Sequence, residues 1–418
     1  MHGLRGQGNL RVKGFSGHKR LIRMIYCDSC KTRFSERKGT VLEQSRLPQE
    51  KVVSLLEHVR EGNGTLRTGR LVSVSKNTVT RYVRLAGKHS GYLHNERVAY
   101  SPQTTEVEFD EKWSFVNKKQ KHCQVGKLED EKRGDNWDHT ALDAESRLLL
   151  FLVPGKRTAE NCKKVVEEVK WRTGGRTDLL LSSDEHAPYK TAIEEVYGQE
   201  QPLLILKAEK VSEGVHSMEK EEKAKKAKKT KSQKKKEKKN QKEKKERRKK
   251  ELQEQQEKAK KEKRENKENK KESEGKKEKK MPSDLVYATV KKEREQGRVV
   301  HVVQTLVFGT LMMLGLWLGR SKVSKTINTS FVERNNGPDR HPNSRKVRKT
   351  YGFSKEWEVH NACSYFVAYS YNFCWPVRTL SIEDDKGQRR KRTPAMAAGL
   401  TDHIWSTEEW ITYPAKAG

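Results

Sequence analysis

The sequence predicts an α/β core split in two by a charged insert and preceded by a small helical domain. Three observations carry this prediction. Residues 104–116, 147–153 and 299–308 are strand-like runs, with a short apolar run at 177–182, while 158–172 and 359–374 place apolar side chains at helical spacing. Between these runs, 219–280 is almost entirely Lys, Glu, Gln, Asn, Arg, Ser and Ala, with Leu252 as its single large apolar side chain. Such a segment cannot bury enough surface to offset its ordering entropy. Finally, the 418-residue chain carries a net charge of +33, so a polyanion is the expected partner: each phosphate neutralised by Lys or Arg releases condensed counterions. DNA, RNA and an acidic membrane surface all satisfy that charge.

The elements follow in order along the chain. Cys27 and Cys30, separated by two residues, have the spacing of half a zinc site, which His2 or His18 would have to complete. A reduced, unmetallated turn is the alternative. Residues 47–61 set Val52, Leu55, Leu56 and Val59 on one helical face, with Pro48 suited to the first turn. Two shorter helices, 65–72 and 76–86, flank Ser73-Val74-Ser75, and Ser75 is placed to cap the second. Val79, Tyr82, Val83 and Ala86 then face inward. Lys76, Asn77, Thr80, Arg81 and Arg84 face away, a set able to contact phosphates and base edges in a major groove. Helix-turn-helix is the reading; an ordinary helical bundle with a solvated face competes.

Three carboxylates stand beside apolar residues that can fix them in space. Asp110 ends Glu106-Val107-Glu108-Phe109, Asp184 follows Leu179-Leu180-Leu181-Ser182-Ser183, and Glu333 lies in Ser330-Phe331-Val332-Glu333-Arg334-Asn335-Asn336. Hard oxygen donors suit Mg²⁺ (or Mn²⁺), and two such ions can activate both the attacking and the leaving oxygen of a phosphodiester. Downstream, Arg334, Arg340, Arg345 and Lys346, with Arg348 and Lys349, form a basic run that could hold DNA phosphates or be a solvated surface.

At these residues the chain resembles the DDE transposases of bacterial insertion sequences, most closely the InsA/InsB type. The resemblance is carried by Phe109-Asp110-Glu111-Lys112-Trp113, by Asp184 with Pro188-Tyr189, by Phe331-Val332-Glu333-Arg334-Asn335-Asn336, and by the basic stretches Arg340–Lys346 and Phe353–Trp357. It implies an RNase H-like mixed-sheet core with both Asp residues on or after strands and the Glu on a later helix. It also implies Asp110, Asp184 and Glu333 as ligands of a divalent metal, and an N-terminal zinc-ribbon and helix-turn-helix region binding terminal inverted repeats. Two features depart from the pattern: an upstream Cys pair is missing, as if the chain began inside the zinc-binding region, and the Lys-rich insert separates the second Asp from the Glu.

The resulting map is a partial zinc-ribbon-like region at 1–46, a helix-turn-helix domain at 47–92, core segments at 102–213 and 284–380, the insert at 214–283 and a C-terminal tail at 381–418. The expected activity is metal-dependent strand cleavage and strand transfer on double-stranded DNA, both transposon ends and target, by a homo-oligomer assembled on DNA. A catalytically dead, transposon-derived DNA-binding protein is the alternative, and an RNA binder driven by the Lys-rich tract a third.

The remaining chemistry-bearing residues are expected to be structural. Cys123, Cys162, Cys363 and Cys374 have no ligand spacing and are expected to be buried thiols, and His122, Asp138, His139 and His186 are expected in satisfied structural roles. Trp113, Trp357 and Trp375 are expected in the core rather than stacked on bases. The most apolar stretch, 299–318, is interrupted by His301, Gln304, Gly309 and Gly315, so no membrane span is expected. No secretory signal pattern or disulfide framework is legible, and the expected compartment is the bacterial cytoplasm, at the nucleoid.

Overall fold

The computed structural model describes residues 8–17, 19, 21–99, 103–124, 126–200, 279–340, 343, 345–347, 351–383 and 386–415. It divides into one unit of residues 1–198 with 281–418 and a second of 199–280. Most of the expected insert lies outside the described residues.

The first unit begins with a three-stranded antiparallel sheet, β1 (Leu10–Ser16), β2 (Ile22–Cys27) and β3 (Arg33–Ser35). Three helices follow: α1 (Gln49–Arg60), α2 (Thr65–Val72) and α3 (Lys76–Arg97). Ser73, in the left-handed region at φ 54°, ends α2, and the Ser75 side chain accepts from the Thr78 N–H to start α3. Gly69 permits the tight turn, since a Cβ there would meet the Val74 carbonyl oxygen at 2.8 Å.

The main sheet has six strands, β4 (Glu106–Val116), β5 (Gly134–Asp143), β6 (Leu149–Gly155), β7 (Leu180–Asp184), β10 (Val286–Glu295) and β11 (Arg298–Phe308), in the order β11-β10-β7-β4-β5-β6. β4, β5 and β6 form an antiparallel meander; β7 runs parallel to β4, β10 parallel to β7, and β11 returns antiparallel. The sheet is mixed, as expected. The short α4 (Leu128–Glu131) precedes β5. On one face lie α5 (Ala159–Arg172) and α6 (Ala187–Tyr197), burying Val165, Val166, Val169, Tyr189 and Ile193 against Val107 and Phe109 of β4. The Phe109 and Tyr189 rings are 5.2 Å apart.

Beyond β11 come α7 (Leu311–Arg320), α8 (Ser330–Arg340) and α9 (Trp357–Cys374), followed by α10 (Pro394–Ala397) and α11 (Thr407–Thr412). α8 packs on β4, while α9 packs on β6 and along α3. Close approach of α3 and α9 requires Gly87, whose Cβ would lie 2.3 Å from the Ala362 carbonyl oxygen. This contact explains why α3 runs eleven residues past the expected end at Ala86: packing overrides the weak helix propensity of the Gly, His and Ser residues that follow. The segment expected as a tail carries Trp405 and Trp410, both buried in the main core, with the Trp410 indole N–H donating to Ser90 Oγ. No helix among the described residues is long and apolar enough to cross a membrane.

In the second unit, β8 (Gln199–Glu200) pairs antiparallel with β9 (Lys279–Lys280).

Candidate active site

Alternation along β4 sends Glu106, Glu108, Asp110, Lys112 and Ser114 to the face covered by the 321–360 region, and Val107, Phe109 and Glu111 to the α5–α6 face. A row of carboxylates on a covered face is costly unless each finds partners. Glu106 accepts from Ser321 Oγ (3.0 Å) and Ser324 Oγ (2.6 Å). Glu108 accepts the Val332 backbone N–H at 2.7 Å, in the first turn of α8. A carboxylate facing a helix N-terminus is favourable, and this one fixes where α8 starts and so where Glu333, one residue on, stands. Burial pushes the Glu108 carboxyl up to about 8, against the pull of that N–H.

Asp110 and Asp184 each lie two residues past the last parallel pair, Glu108 with Ser182, on neighbouring strands. Glu333 approaches from the first turn of α8. The Asn336 amide, on the next turn, donates to Asp110 Oδ2 at 2.5 Å and ties α8 to β4. Burial raises the Asp110 carboxyl; Asn336 opposes that rise, while the charges of Asp184 and Glu333 reinforce it. The three acids therefore share one electrostatic site. Asp184 Oδ1 accepts the His186 backbone N–H (3.1 Å), and its Oδ2 is 3.9 Å from Arg157. Glu333 Oε1 accepts from Thr329 Oγ1 (2.7 Å) and from Lys292 Nζ (2.5 Å). Asp184 and Glu333 line an open cleft of about 460 Å³, rimmed by Arg157, Lys291, Lys292 and Arg294. A larger cavity, about 620 Å³ between 38–44 and α3, contains none of the three acids.

The donor set fits a hard divalent cation: it offers oxygens only, and beside burial the neighbouring Asp184 and Glu333 charges raise the Asp110 carboxyl. Among the described residues, however, only Glu111, His139 and Cys162 bring three ligand atoms within 4.8 Å of one another. The three acids are spread more widely than the ligands of a single ion.

The other expected site residues divide clearly. Lys76, Asn77, Arg81 and Arg84 are exposed and Thr80 half-buried on the outer face of α3, with Arg84 paired to Glu356 at 2.6 Å. Arg334 is exposed and follows Glu333 in α8. Arg345 and Lys346 correct the expectation of a phosphate-binding surface, being only 6% and 2% exposed. Lys346 is bonded to Asp138, which Lys112 also approaches at 3.5 Å, and Arg345 donates to Cys363 Sγ. Burial would push the Asp138 carboxyl up, but the Lys346 and Lys112 charges outweigh it and hold it down at about 2. Burial and Lys346 likewise hold His360 down at about 3. The Arg340 side chain, His2, His18, Arg348 and Lys349 lie outside the described residues.

Cys27 is buried and accepts from Asn9 Nδ2 at 3.6 Å, while Cys30, half-buried, contacts Thr32 Oγ1 at 2.8 Å. Hydrogen bonds from Thr32 lower the Cys30 thiol to about 7. Among the described residues no third His, Cys, Asp or Glu joins this pair at ligand spacing. Cys162, Cys363 and Cys374 are buried as expected, whereas Cys123 is partly exposed. Trp113, Trp357 and Trp375 are all partly buried.

Sequence reasoning missed Glu108, Asn336, Arg157 and Lys292, which position or neutralise the acids. Only the alternating Glu106, Glu108 and Asp110 carried a signal, since a strand that repeats an acid on one face needs a polar covering element.

No protein-family model and no curated protein sequence matches this chain. Among solved structures it is similar to the Mos1 strand transfer complex (15% identity over 36% of this chain and 55% of that one, TM-score 0.15). It is also similar to a pre-cleavage Mos1 transpososome (14%, 36% and 58%, TM-score 0.16) and to the Mos1 mariner paired end complex with Mn (14%, 36% and 57%, TM-score 0.15). The match thus spans little more than half the length of those chains, and at these TM-scores the fold is read from this chain's own strand order.

Proposed function

We propose that this protein is a DDE-type DNA transposase of the InsA/InsB kind, with an RNase H-like core. The reading is supported by the placement of three acids on neighbouring elements: Asp110 and Asp184 each lie two residues past the last pair of adjacent parallel strands, and Asp184 and Glu333, the latter on the covering helix, line one cationic-rimmed cleft. These three side chains would hold Mg²⁺ or Mn²⁺, which supplies activation of water or a 3′-hydroxyl for in-line attack on a phosphodiester. Glu108 and Asn336 hold α8 against β4, so Glu333 and Asp110 keep their spacing. Arg157, Lys291, Lys292 and Arg294 line the approach and attract the DNA backbone.

In this reading, α2 and α3 are the helix-turn-helix that binds the terminal inverted repeats through Lys76, Asn77, Thr80, Arg81 and Arg84. Arg334 adds a phosphate contact near the acids, β1–β3 is the remnant of a zinc-ribbon, and the active species is a homo-oligomer on double-stranded DNA at the nucleoid. The alternative, a DNA-binding remnant without cleavage, is favoured by one contact, the Lys292 ammonium seated on Glu333.

The test is incubation of the full chain with Mg²⁺ and DNA bearing the element's ends. Strand nicks leaving 3′-hydroxyls are expected from the parent and none from Asp110→Asn or Asp184→Asn, with end binding retained in all three. Cleavage at the parental rate by either variant would remove the assignment, and a mobility shift without nicks from the parent would leave the remnant.

A further inference from the structure

On the opposite face of β4 from Asp110, three side chains from three elements meet in the interior. Glu111 of β4 and His139 of β5 are direct cross-strand partners, and Cys162 lies in the first turn of α5, which covers them. Their ligand atoms all lie within 4.8 Å of one another. His139 and Cys162 are 0% exposed, and the Glu111 side chain 2%.

The hydrogen bonding around this cluster is one-sided. His139 Nδ1 faces the Val153 carbonyl oxygen at 3.3 Å, which orients the ring, while its Nε2 is buried with no hydrogen-bond partner. Glu111 gives Oε2 to Arg157 (2.8 Å), while its buried Oε1 meets no well-formed hydrogen bond, although the buried Tyr189 hydroxyl approaches the same carboxylate. Orphaned buried polar atoms are rare and expensive, and here the orphaned His139 Nε2 stands in the same three-residue cluster as a thiol and a buried carboxylate.

We infer that Glu111, His139 and Cys162 form a buried transition-metal site, suited to Zn²⁺ and separate from the carboxylate cleft. Imidazole nitrogen, thiolate sulfur and carboxylate oxygen are the three donor types zinc takes, and three protein ligands leave a fourth position for water. The outer contacts match those of metal sites: the histidine's second nitrogen is set against a backbone carbonyl, and the carboxylate's second oxygen is held by an arginine. Binding releases the Cys162 thiol proton to solvent, and the bound ion satisfies both Nε2 and Oε1. The ion would clamp β4, β5 and α5 together directly behind Asp110. Arg157, which holds Glu111 and lies 3.9 Å from Asp184, connects the two faces. The site rests on this cluster alone and stands whether or not the chain cleaves DNA.

Co²⁺ titration of the purified, metal-stripped full chain tests the inference, in a Cys27→Ser/Cys30→Ser background so that Cys162 is the thiolate observed. A near-ultraviolet thiolate-to-cobalt charge-transfer band saturating at one equivalent is expected. Cys162→Ser should abolish it, His139→Ala should weaken cobalt binding at least tenfold, and Zn²⁺ should displace the cobalt. Absence of the band, or its persistence in Cys162→Ser, overturns the site. Because His139→Ala could fail to fold, thermal melting of the Cys27→Ser/Cys30→Ser chain provides a second reading: Zn²⁺ should raise its midpoint and the rise should vanish in Cys162→Ser. Equal midpoints with Zn²⁺ and with chelator overturn it too.

Discussion

Replacing Asp138 by Asn tests whether Lys346 belongs to the interior or to a DNA-binding surface. Asp138 is 0% exposed and lies between Lys346 and Lys112, themselves 2% and 3% exposed. Removing its charge takes from two buried ammonium groups the carboxylate that both approach, and breaking a buried pair in this way costs about 3–5 kcal/mol, a large part of the roughly 5–15 kcal/mol that holds a domain folded. Lys346→Met removes less: Lys112 and Asp138 remain as a neutral pair at 3.5 Å, and the loss is nearer that of one charged hydrogen bond, about 1.5–3 kcal/mol. Urea midpoints followed by tryptophan fluorescence should therefore fall in the order parent, Lys346→Met, Asp138→Asn. The salt slope of DNA binding should be unchanged in any Lys346→Met protein that stays folded. The pH dependence has a definite sign. Asp138 is depressed from 3.8 to about 2, so its contribution, about 2 kcal/mol by linkage, is complete above pH 3.8 and disappears as pH falls through 2. An Asp138→Asn chain as stable as the parent, or a Lys346→Met chain of parental stability whose salt slope drops by about one phosphate, would refute the reasoning.

Three further outcomes follow from other contacts. Gly87→Ala forces a Cβ to within 2.3 Å of the Ala362 carbonyl oxygen, so α3 and α9 must separate; a loss of about 1–3 kcal/mol or more is expected in urea unfolding, whereas Gly91→Ala, which meets nothing within 4 Å, should be neutral or stabilising. Arg81→Ala, on the exposed face of α3, should weaken end binding and lower its salt slope without changing the melting temperature, which gel shifts at several salt concentrations and a thermal scan can check. Glu108→Gln keeps an oxygen for the Val332 N–H but cannot ionise. Burial raises Glu108 from 4.5 to about 8, so the parent loses stability progressively as pH rises from 4.5 and has lost all of that contribution once pH passes about 8, and the Gln variant should be the more stable of the two at pH 9 in paired urea titrations.

Much of the architecture was legible because it rests on local patterns. Apolar spacing located α1, α2, α5 and α9, and the capping side chain of Ser75 marked where α3 begins; the Thr158 cap of α5 emerged only in the structure. Strand-like runs located β4 and β6, and a β-branched run located β11. By contrast, β5 was not read from its sequence, because Asn136, Asp138, His139 and Thr140 are all buried there for their polar contacts and break the expected alternation. β10 was hidden by its own second half, Lys291 to Glu295, which resembles the neighbouring charged segment. The three acids were found as motifs, but the groups that hold them were not. Glu108 meets Val332 across 224 positions and Asn336 meets Asp110 across 226, separations over which no periodicity operates.

The sequence alone determined where the strongly patterned helices and strands lie, which of their faces are apolar, and which acids stand beside them, because these depend on side chains a few residues apart. Tertiary structure decided which charges are surfaces and which are interior. Lys346 and Arg334 read alike in a basic run, yet one is sealed against Asp138 and the other faces solvent. The reason is physical: a charge enters the core only where another part of the chain supplies its counter-charge, and that partner is set by how β4, β5 and the segment before α9 come together.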